Sequence, residues 1–167
     1  MSSIAKGSVF DIECRDGSTG DGAFLSLSGK TKGVSLADLP NSFFLDKIFS
    51  STGRFSFYGA PTDIKVKKSY LSENGKNRII ELGFSLLSQS TGAEIPRTAI
   101  MVATVPEGTE EAVLLVASST STRWKNKGSE ETIRKTIASF SAEPSPITGM
   151  KVRARSDEEP ILTFRNL

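Results

Sequence analysis

KVKKSYLSENGKNRIIELGFSLL, residues 65–87, opens the stretch from Lys65 to Ala142 that decides the fold of this chain. Two strand patterns flank Asn74-Gly75, a pair typical of β-hairpin turns because both residues tolerate a positive φ. In the returning strand, predicted over 78–87, apolar and polar residues alternate, as expected of a strand with one buried face. The stretch therefore predicts a hairpin packed on a core.

Two later segments, 99–103 (AIMVA) and 112–117 (AVLLVA), have no polar face. They lie on either side of a Pro-Glu-Gly-Thr turn, which makes them neighbours in an antiparallel sheet. Strands that are apolar on both sides are central strands covered on both faces. These segments predict an α+β fold, namely an α-β-α sandwich with a central antiparallel sheet flanked by helices.

Two helices are predicted to cover this sheet. Pro40 suits the first position of a helix, and Phe43, Phe44 and Ile48 then form an apolar face suited to core packing. Ser129 is expected to be the N-cap of the second helix, whose first turn is acidic and whose apolar residues repeat at helical spacing.

Shorter strands are predicted over Val9–Cys14, Ala23–Ser28 and Arg54–Tyr58. The second of these alternates, with Ala23, Leu25 and Leu27 on one face and two serines on the other. The Gly-rich turn before it contains Asp16 and Asp21. A calcium loop is conceivable there, although the turn lacks the regular ligand spacing and the closing glutamate of an EF-hand, and a plain hairpin turn is the alternative.

Length and composition indicate a single globular domain. The chain has 167 residues, with 21 basic and 19 acidic side chains, a surplus too small to indicate a nucleic-acid-binding protein. It has no histidine and one cysteine, so imidazole metal sites, Ser-His or Cys-His catalysis and an internal disulfide are excluded. We predict one domain over 1–146 and a charged C-terminal tail over 147–167, in which 161–164 forms either a closing edge strand or a docking peptide.

The order of several motifs resembles the PsbP family, the extrinsic lumenal proteins of photosystem II and their PsbP-domain relatives. Residues 34–40 (VSLADLP) are similar to the family's step into its first helix, and Ile80–Phe84 occupies the place of its tyrosine-rich strand. Arg123-Trp124, followed by Ser139-Phe140, is similar to the closing motif of the domain. The resemblance covers roughly residues 7 to 142. The family's tyrosines are replaced here by aliphatic residues, and Pro96-Arg97-Thr98 stands where relatives often have Arg-His, so the chain resembles a divergent member.

The resemblance implies a non-enzymatic protein of the chloroplast thylakoid lumen, peripheral to the membrane and not spanning it. Such a protein docks on a photosynthetic membrane complex: either the oxygen-evolving complex of photosystem II, or a related complex whose assembly or stability it supports. No intrinsic cofactor is expected, and calcium is possible by family resemblance alone. The Arg-His pair is missing, so metal sites proposed for relatives do not carry over through histidine.

Basic clusters are the candidate docking residues, because surface charges steer encounter with an acidic partner. Solubilising lysines on an exposed face are the alternative interpretation of the same residues. The predicted partner-binding residues are Lys65, Lys67, Lys68, Arg123, Lys125 and Lys127. The neighbouring Trp124 is predicted to pack over the sheet instead of contacting a partner.

Two other classes of function remain open from the sequence. The predicted sandwich resembles that of the Mog1 proteins, which bind the nuclear transport GTPase, although the acidic partner-binding face this would need is not evident. A soluble enzyme of unknown reaction would need paired carboxylates with a raised pKa. The candidates for that role are Asp63, Glu81 and Glu94.

Overall fold

The computed structural model describes residues 12–88 and 90–144 of the chain. The strands are β1 (Glu13–Arg15), β2 (Gly22–Lys30), β3 (Thr62–Leu71), β4 (Asn77–Leu87), β5 (Glu94–Thr104) and β6 (Glu111–Thr120). The α-helices are α1 (Asn41–Phe49), α2 (Ser121–Asn126) and α3 (Ser129–Ala138), and a 3₁₀-helix spans Arg54–Tyr58.

The strands form one antiparallel sheet in the order β1-β2-β6-β5-β4-β3. The central position of β5 and β6 confirms the prediction from their unbroken apolar runs. In β5 all five residues from Ala99 to Ala103 are at most 1% exposed, because helices cover both faces of the sheet.

The first core lies between the sheet and α1 with the 3₁₀-helix. Phe44 and Ile48 of α1 are fully buried and belong to one cluster with Leu82, Met101 and Leu114. This cluster confirms the predicted apolar face of the first helix. The structure starts α1 at Asn41, with Pro40 as the residue just before it.

The second core lies on the opposite face of the sheet, under α2 and α3. Trp124, Ile133 and Ile137 pack there against Ile100 and Val102. The predicted α+β sandwich is therefore the observed architecture, and the prediction that Trp124 packs over the sheet is confirmed.

The predicted strand at Arg54–Tyr58 is wrong, because this segment is a 3₁₀-helix. The segment pairs with no strand among the residues that the structure describes. The tighter turn instead buries Phe55 among three aromatic rings, with centroids 4.5 Å from Phe84, 5.3 Å from Phe24 and 5.4 Å from Phe49. Packing of one aromatic side chain decides the local structure.

The alternation predicted for β2 is confirmed, and the face that carries the serines is the buried one. Ser26 and Ser28 are 6% and 7% exposed and lie on the same face as Phe24, whereas Leu25 and Leu27 are only partly buried. Ser28 is stabilised there because its hydroxyl donates to the Gly29 carbonyl and accepts the Ala112 amide.

Two turn predictions need correction in detail. The Asn74-Gly75 hairpin between β3 and β4 is present, but only Gly75 has a positive φ, at 69°. Asn74 instead accepts hydrogen bonds from Ser72 Oγ and Lys76 N. Ser129 is not the N-cap of α3: Gly128 holds that position in a left-handed conformation, and the Ser129 hydroxyl donates to Asp21.

Several predictions lie on residues outside the described ranges. These are the first residues of the Val9–Cys14 strand, the domain boundary at 146, the charged tail over 147–167 and its 161–164 segment. Among residues 12–88 and 90–144, none of the helices has the length and apolar character needed to cross a membrane.

Candidate functional site

The predicted docking lysines of β3 lie together on one exposed side of the sheet. Lys65 stands opposite Gly83, and Lys68 stands opposite Glu81, across the antiparallel pair. Residues directly opposite each other project to the same face, which here is the face covered by α2 and α3. A register shift between Val66 and Lys68 marks a bulge, a feature that re-aims side chains.

Lys67 extends from this bulge toward α2. Its Nζ donates to Thr98 Oγ1 at 3.1 Å, and Thr98 lies 3.4 Å from the hydroxyl of Ser121, the first residue of α2. Lys125 is one helical turn after Ser121 and is exposed, so both residues lie on the same side of α2. Lys67 is therefore linked through Thr98 to the start of α2, the helix that carries Lys125.

Arg123 belongs to a different part of the surface. Its Nε donates to Asp21 at 3.0 Å, at the start of β2, and its side chain is 32% exposed. It lies on helix α2. Lys127 follows that helix and is exposed. Arg123 is therefore held within the fold by an ion pair with Asp21, and Lys67 by a hydrogen bond to Thr98.

Strand β3 also exposes large apolar side chains. Ile64, Val66, Tyr70 and Leu71 are between 38% and 42% exposed, and β3 has a single neighbouring strand within residues 12–88 and 90–144. An edge strand presents unpaired backbone groups that can pair with another chain. We call β3, with its lysines and these apolar residues, the β3 edge surface.

A second candidate site, a cavity, lies at the end of the sheet where β5 begins, on the face covered by α1. Its volume is about 140 Å³. Phe24, Phe55 and Leu86 supply apolar walls, and three arginines line it: Arg15, Arg54 and Arg97.

Arg97 is the most buried charged group of this cavity, with 9% of its surface exposed. Its Nη2 donates to the Gly20 carbonyl at 2.8 Å and to Ser118 Oγ at 3.0 Å. Its Nε is buried without a hydrogen-bond partner among the described residues. Burial, and then the nearby charge of Arg15, lower the pKa of Arg97, while Asp21 acts in the opposite direction.

Sequence reasoning did not identify this cavity. In the sequence, Arg97 stands out only as a departure from the PsbP pattern, and Arg54 only as the start of a predicted strand. The sequence does contain a signal, because Arg97 is a charged residue two positions before the unbroken apolar run 99–103. Arg54 forms an ion pair with Glu13 at the cavity, a contact between distant segments that a local pattern does not reveal.

The carboxylates considered for an enzyme are dispersed. Glu81 accepts from Arg134 Nη1 at 3.0 Å on the α3 face, and Glu94 accepts from Thr62 Oγ1 at 3.1 Å at the other end of β3. Asp63 is exposed, with a φ of 52°. Each acidic side chain thus has its own surroundings, and the three do not form one constellation.

The two aspartates of the Gly-rich turn before β2 accept hydrogen bonds within the fold. Asp16 accepts from the amide and the hydroxyl of Ser18, which lower its pKa to about 2. Asp21 accepts from Arg123 and Ser129. Among the residues that the structure describes, no group of three or more acidic, cysteine or histidine side chains is placed to hold a metal ion.

Comparison with known proteins gives little further information. No family model matches the chain, and no curated protein matches it. The chain is similar to a crystal structure of a protein of unknown function from Pseudomonas aeruginosa, described as a candidate regulator. The similarity has a TM-score of 0.47 and 9% identity, and covers 87% of this chain and 90% of that chain.

Proposed function

We propose that this protein is a non-enzymatic docking protein that binds the lumenal surface of a photosynthetic membrane complex through its β3 edge surface. The thylakoid lumen is the proposed compartment, and the protein is peripheral to the membrane. The observation that carries the proposal is the edge position of a strand with three exposed lysines. The sandwich fold, which agrees with what the PsbP resemblance implies, supports it further.

The lysines of the β3 edge surface suit an acidic partner. Lys65, Lys67 and Lys68 form no ion pair with any described residue, so their charges are available to a carboxylate-rich surface. Such charges accelerate association and make it salt-dependent. Ordinary solubilising lysines would be scattered, whereas these lie on one strand together with four exposed apolar side chains.

The apolar residues and the strand edge supply the short-range part of the interaction. An extended segment of a partner can add to an exposed sheet edge, with backbone hydrogen bonds giving affinity and side-chain contacts giving specificity. Val66 and Tyr70 stand opposite Leu82 and Ile79, so they project to opposite faces of the sheet. A partner strand at this edge would find apolar contacts on both sides.

Pull-down from solubilised thylakoids tests this function. The untagged protein is incubated with the extract, and the bound material is washed with salt from about 0.05 to about 0.5 M. Over this range the Debye length, the distance over which charges interact, shortens several-fold. We expect subunits of a photosynthetic membrane complex to be recovered and to be lost as the salt concentration rises. Recovery of no photosynthetic subunit even at low salt would exclude the proposed docking. A parallel wash series with added calcium shows whether the ion strengthens retention.

A charge-reversal variant locates the contact. Replacing Lys65, Lys67 and Lys68 by Glu should abolish retention at low salt, since an acidic partner would then be repelled. The matched control reverses three exposed lysines elsewhere, at positions 32, 47 and 76, and should retain the partner nearly as well as the natural protein. Equal losses in both triple variants would show that only net charge matters and would contradict a specific role for β3.

A further inference from the structure

We propose that the cavity beside Arg97 is a binding site for a small amphiphilic carboxylate, with the arginines holding the carboxylate and the aromatic walls holding its apolar body. The cavity lies on the face of the sheet covered by α1. It shares no residue with the β3 edge surface. Failure of the docking proposal would therefore leave the ligand-binding proposal unaffected, and the reverse also holds.

The charged residues that line this cavity favour an anionic ligand. Arg97 is nine-tenths buried, and its described partners, the Gly20 carbonyl and the Ser118 hydroxyl, are both neutral. Glu13, the acidic residue that lines the cavity, is paired with Arg54. Asp21, the carboxylate whose charge acts on Arg97, is itself hydrogen-bonded to Arg123 and Ser129. The lining carries three arginines and one glutamate, and an excess of buried positive charge is costly, so a bound anion would stabilise the site.

The guanidinium of Arg97 has hydrogen-bonding capacity that the described residues do not fill, as its buried Nε shows. A buried donor left without an acceptor costs free energy, and such groups are rare in folded proteins. A carboxylate oxygen is the acceptor that arginine geometry suits, because the guanidinium is a planar fork of donors. A carboxylate in the cavity would therefore supply a negatively charged acceptor beside this guanidinium.

Size and wall chemistry limit the rest of the ligand. A cavity of about 140 Å³ is close to the roughly 150 Å³ of an engineered apolar cavity that accommodates benzene. Phe24 and Phe55 form an edge-to-face pair with centroids 5.3 Å apart, and Leu86 completes the apolar lining. A single ring or a short branched chain carrying one carboxylate fits this volume, whereas a nucleotide does not.

Fluorine NMR tests the proposal with 4-fluorobenzoate as the probe and 4-fluorobenzyl alcohol as its neutral counterpart. We expect the benzoate signal to broaden and shift on addition of the full chain, with a Kd at or below about 1 mM. The alcohol should bind at least about tenfold more weakly, since it lacks the charge that the arginines recognise. Equal binding of the two probes, or no binding of benzoate at millimolar protein and probe, would overturn the proposal.

Variants assign the binding to this cavity. Arg97→Met should weaken benzoate binding about tenfold or more. The matched control is Arg134→Met, which also removes a hydrogen-bonded arginine but lies on the face of the sheet covered by α3. The affinity of this control for benzoate should be unchanged. An equal loss in both variants would show that the probe responds to net charge and would contradict the assignment.

A second variant covers the case in which Arg97→Met does not fold. Leu86 is only partly buried and lines the cavity, so Leu86→Trp can fill the space without removing any charge. We expect it to abolish benzoate binding while circular dichroism remains that of the natural protein. Unchanged binding in a folded Leu86→Trp variant would place the probe elsewhere and overturn the proposal.

Discussion

Single polar residues tie distant segments of this protein together. Asp21, at the start of β2, accepts from Arg123 and Ser129 at 3.0 Å each and so joins the first hairpin to α2 and α3. Arg78 similarly donates to the carbonyls of Leu36 and Ala37, which precede α1. Because each of these contacts links a strand, or the turn before it, to a helix layer, loss of one side chain affects how a whole element is held.

Gly53 has no side chain, which allows the backbone at this position to lie close to helix α1. A Cβ at this position would lie 2.5 Å from the carbonyl oxygen of Ile48, a backbone atom that cannot rotate away. We expect Gly53→Ala to destabilise the protein by about 1–3 kcal/mol, the usual cost of overpacking. The measurement is the free energy of unfolding in urea.

The control for that substitution is Gly17→Ala. Nothing lies within 4 Å of the Cβ it would add, and the φ of Gly17 is not positive. Its effect should be neutral or slightly stabilising, because alanine restricts the unfolded chain. Comparable destabilisation by both substitutions would contradict the close approach of Gly53 to α1.

The carboxyl of Asp16 provides a test by pH. The amide and hydroxyl of Ser18 lower its pKa from 3.8 to about 2, so these hydrogen bonds stabilise the folded state above pH 4 and are lost as the pH falls toward 2. We expect Ser18→Ala to raise the pKa of Asp16 part of the way back to 3.8, since the amide donor remains. A carboxyl titration by NMR measures it, and a pKa that is the same in both proteins would contradict the role of the Ser18 hydroxyl.

At the scale of elements, helix α3 is held to the sheet by an apolar face and by one ion pair. Ile133 and Ile137 are buried, and Arg134 donates to Glu81 of β4 at 3.0 Å and to Glu130 at 2.8 Å. These two hydrogen bonds raise the pKa of Arg134 above its ordinary value. Glu81 is only 8% exposed, so the orientation of α3 depends on keeping this carboxylate paired.

Arg134→Met should destabilise the protein by about 1–3 kcal/mol, because it leaves the buried Glu81 without its charged donor. The exposed pair Lys135–Glu131 is the control, and Lys135→Met should cost at most about 0.5 kcal/mol. Urea unfolding of both single variants, of Glu81→Gln and of the Glu81→Gln/Arg134→Met double variant gives the coupling energy. Additive effects in that cycle would show that the pair is not coupled.

At the scale of the whole molecule, one sheet joins two cores. Strand β5 contributes Met101 to the core under α1 and Ile100 and Val102 to the core under α2 and α3. A strand buried on both faces cannot lose its packing on one side without disturbing the other. The two layers should therefore unfold in one cooperative transition.

The single tryptophan tests this coupling, because Trp124 lies in the second core. Phe44→Ala empties space in the first core and should lower the free energy of unfolding by about 3–5 kcal/mol. We expect the midpoint measured by Trp124 fluorescence to fall together with the midpoint measured by far-UV circular dichroism. A fluorescence midpoint that stays at its natural value would show that the cores unfold independently.

The local periodicity of the sequence determined which strands are central in the sheet and where most of the helices that pack on it lie. The alternation in β4 and the unbroken apolar runs of β5 and β6 predict which strands are central, because the pattern along a strand directly reflects burial on its two faces. The same reasoning identified α1 and α3. It was less successful at α2, whose six residues are too few to show helical periodicity, and at the 3₁₀-helix around Phe55.

Only the tertiary structure decided which residues meet at the ends of the elements. Arg97 and Gly20 are 77 residues apart in sequence and share a hydrogen bond, and Glu13 and Arg54 form an ion pair across the same cavity. Likewise, the structure separates Arg123 from the β3 lysines and brings Lys67 toward α2. Contacts of this kind depend on strand order and register, which place distant segments side by side, and no property of either segment alone specifies them.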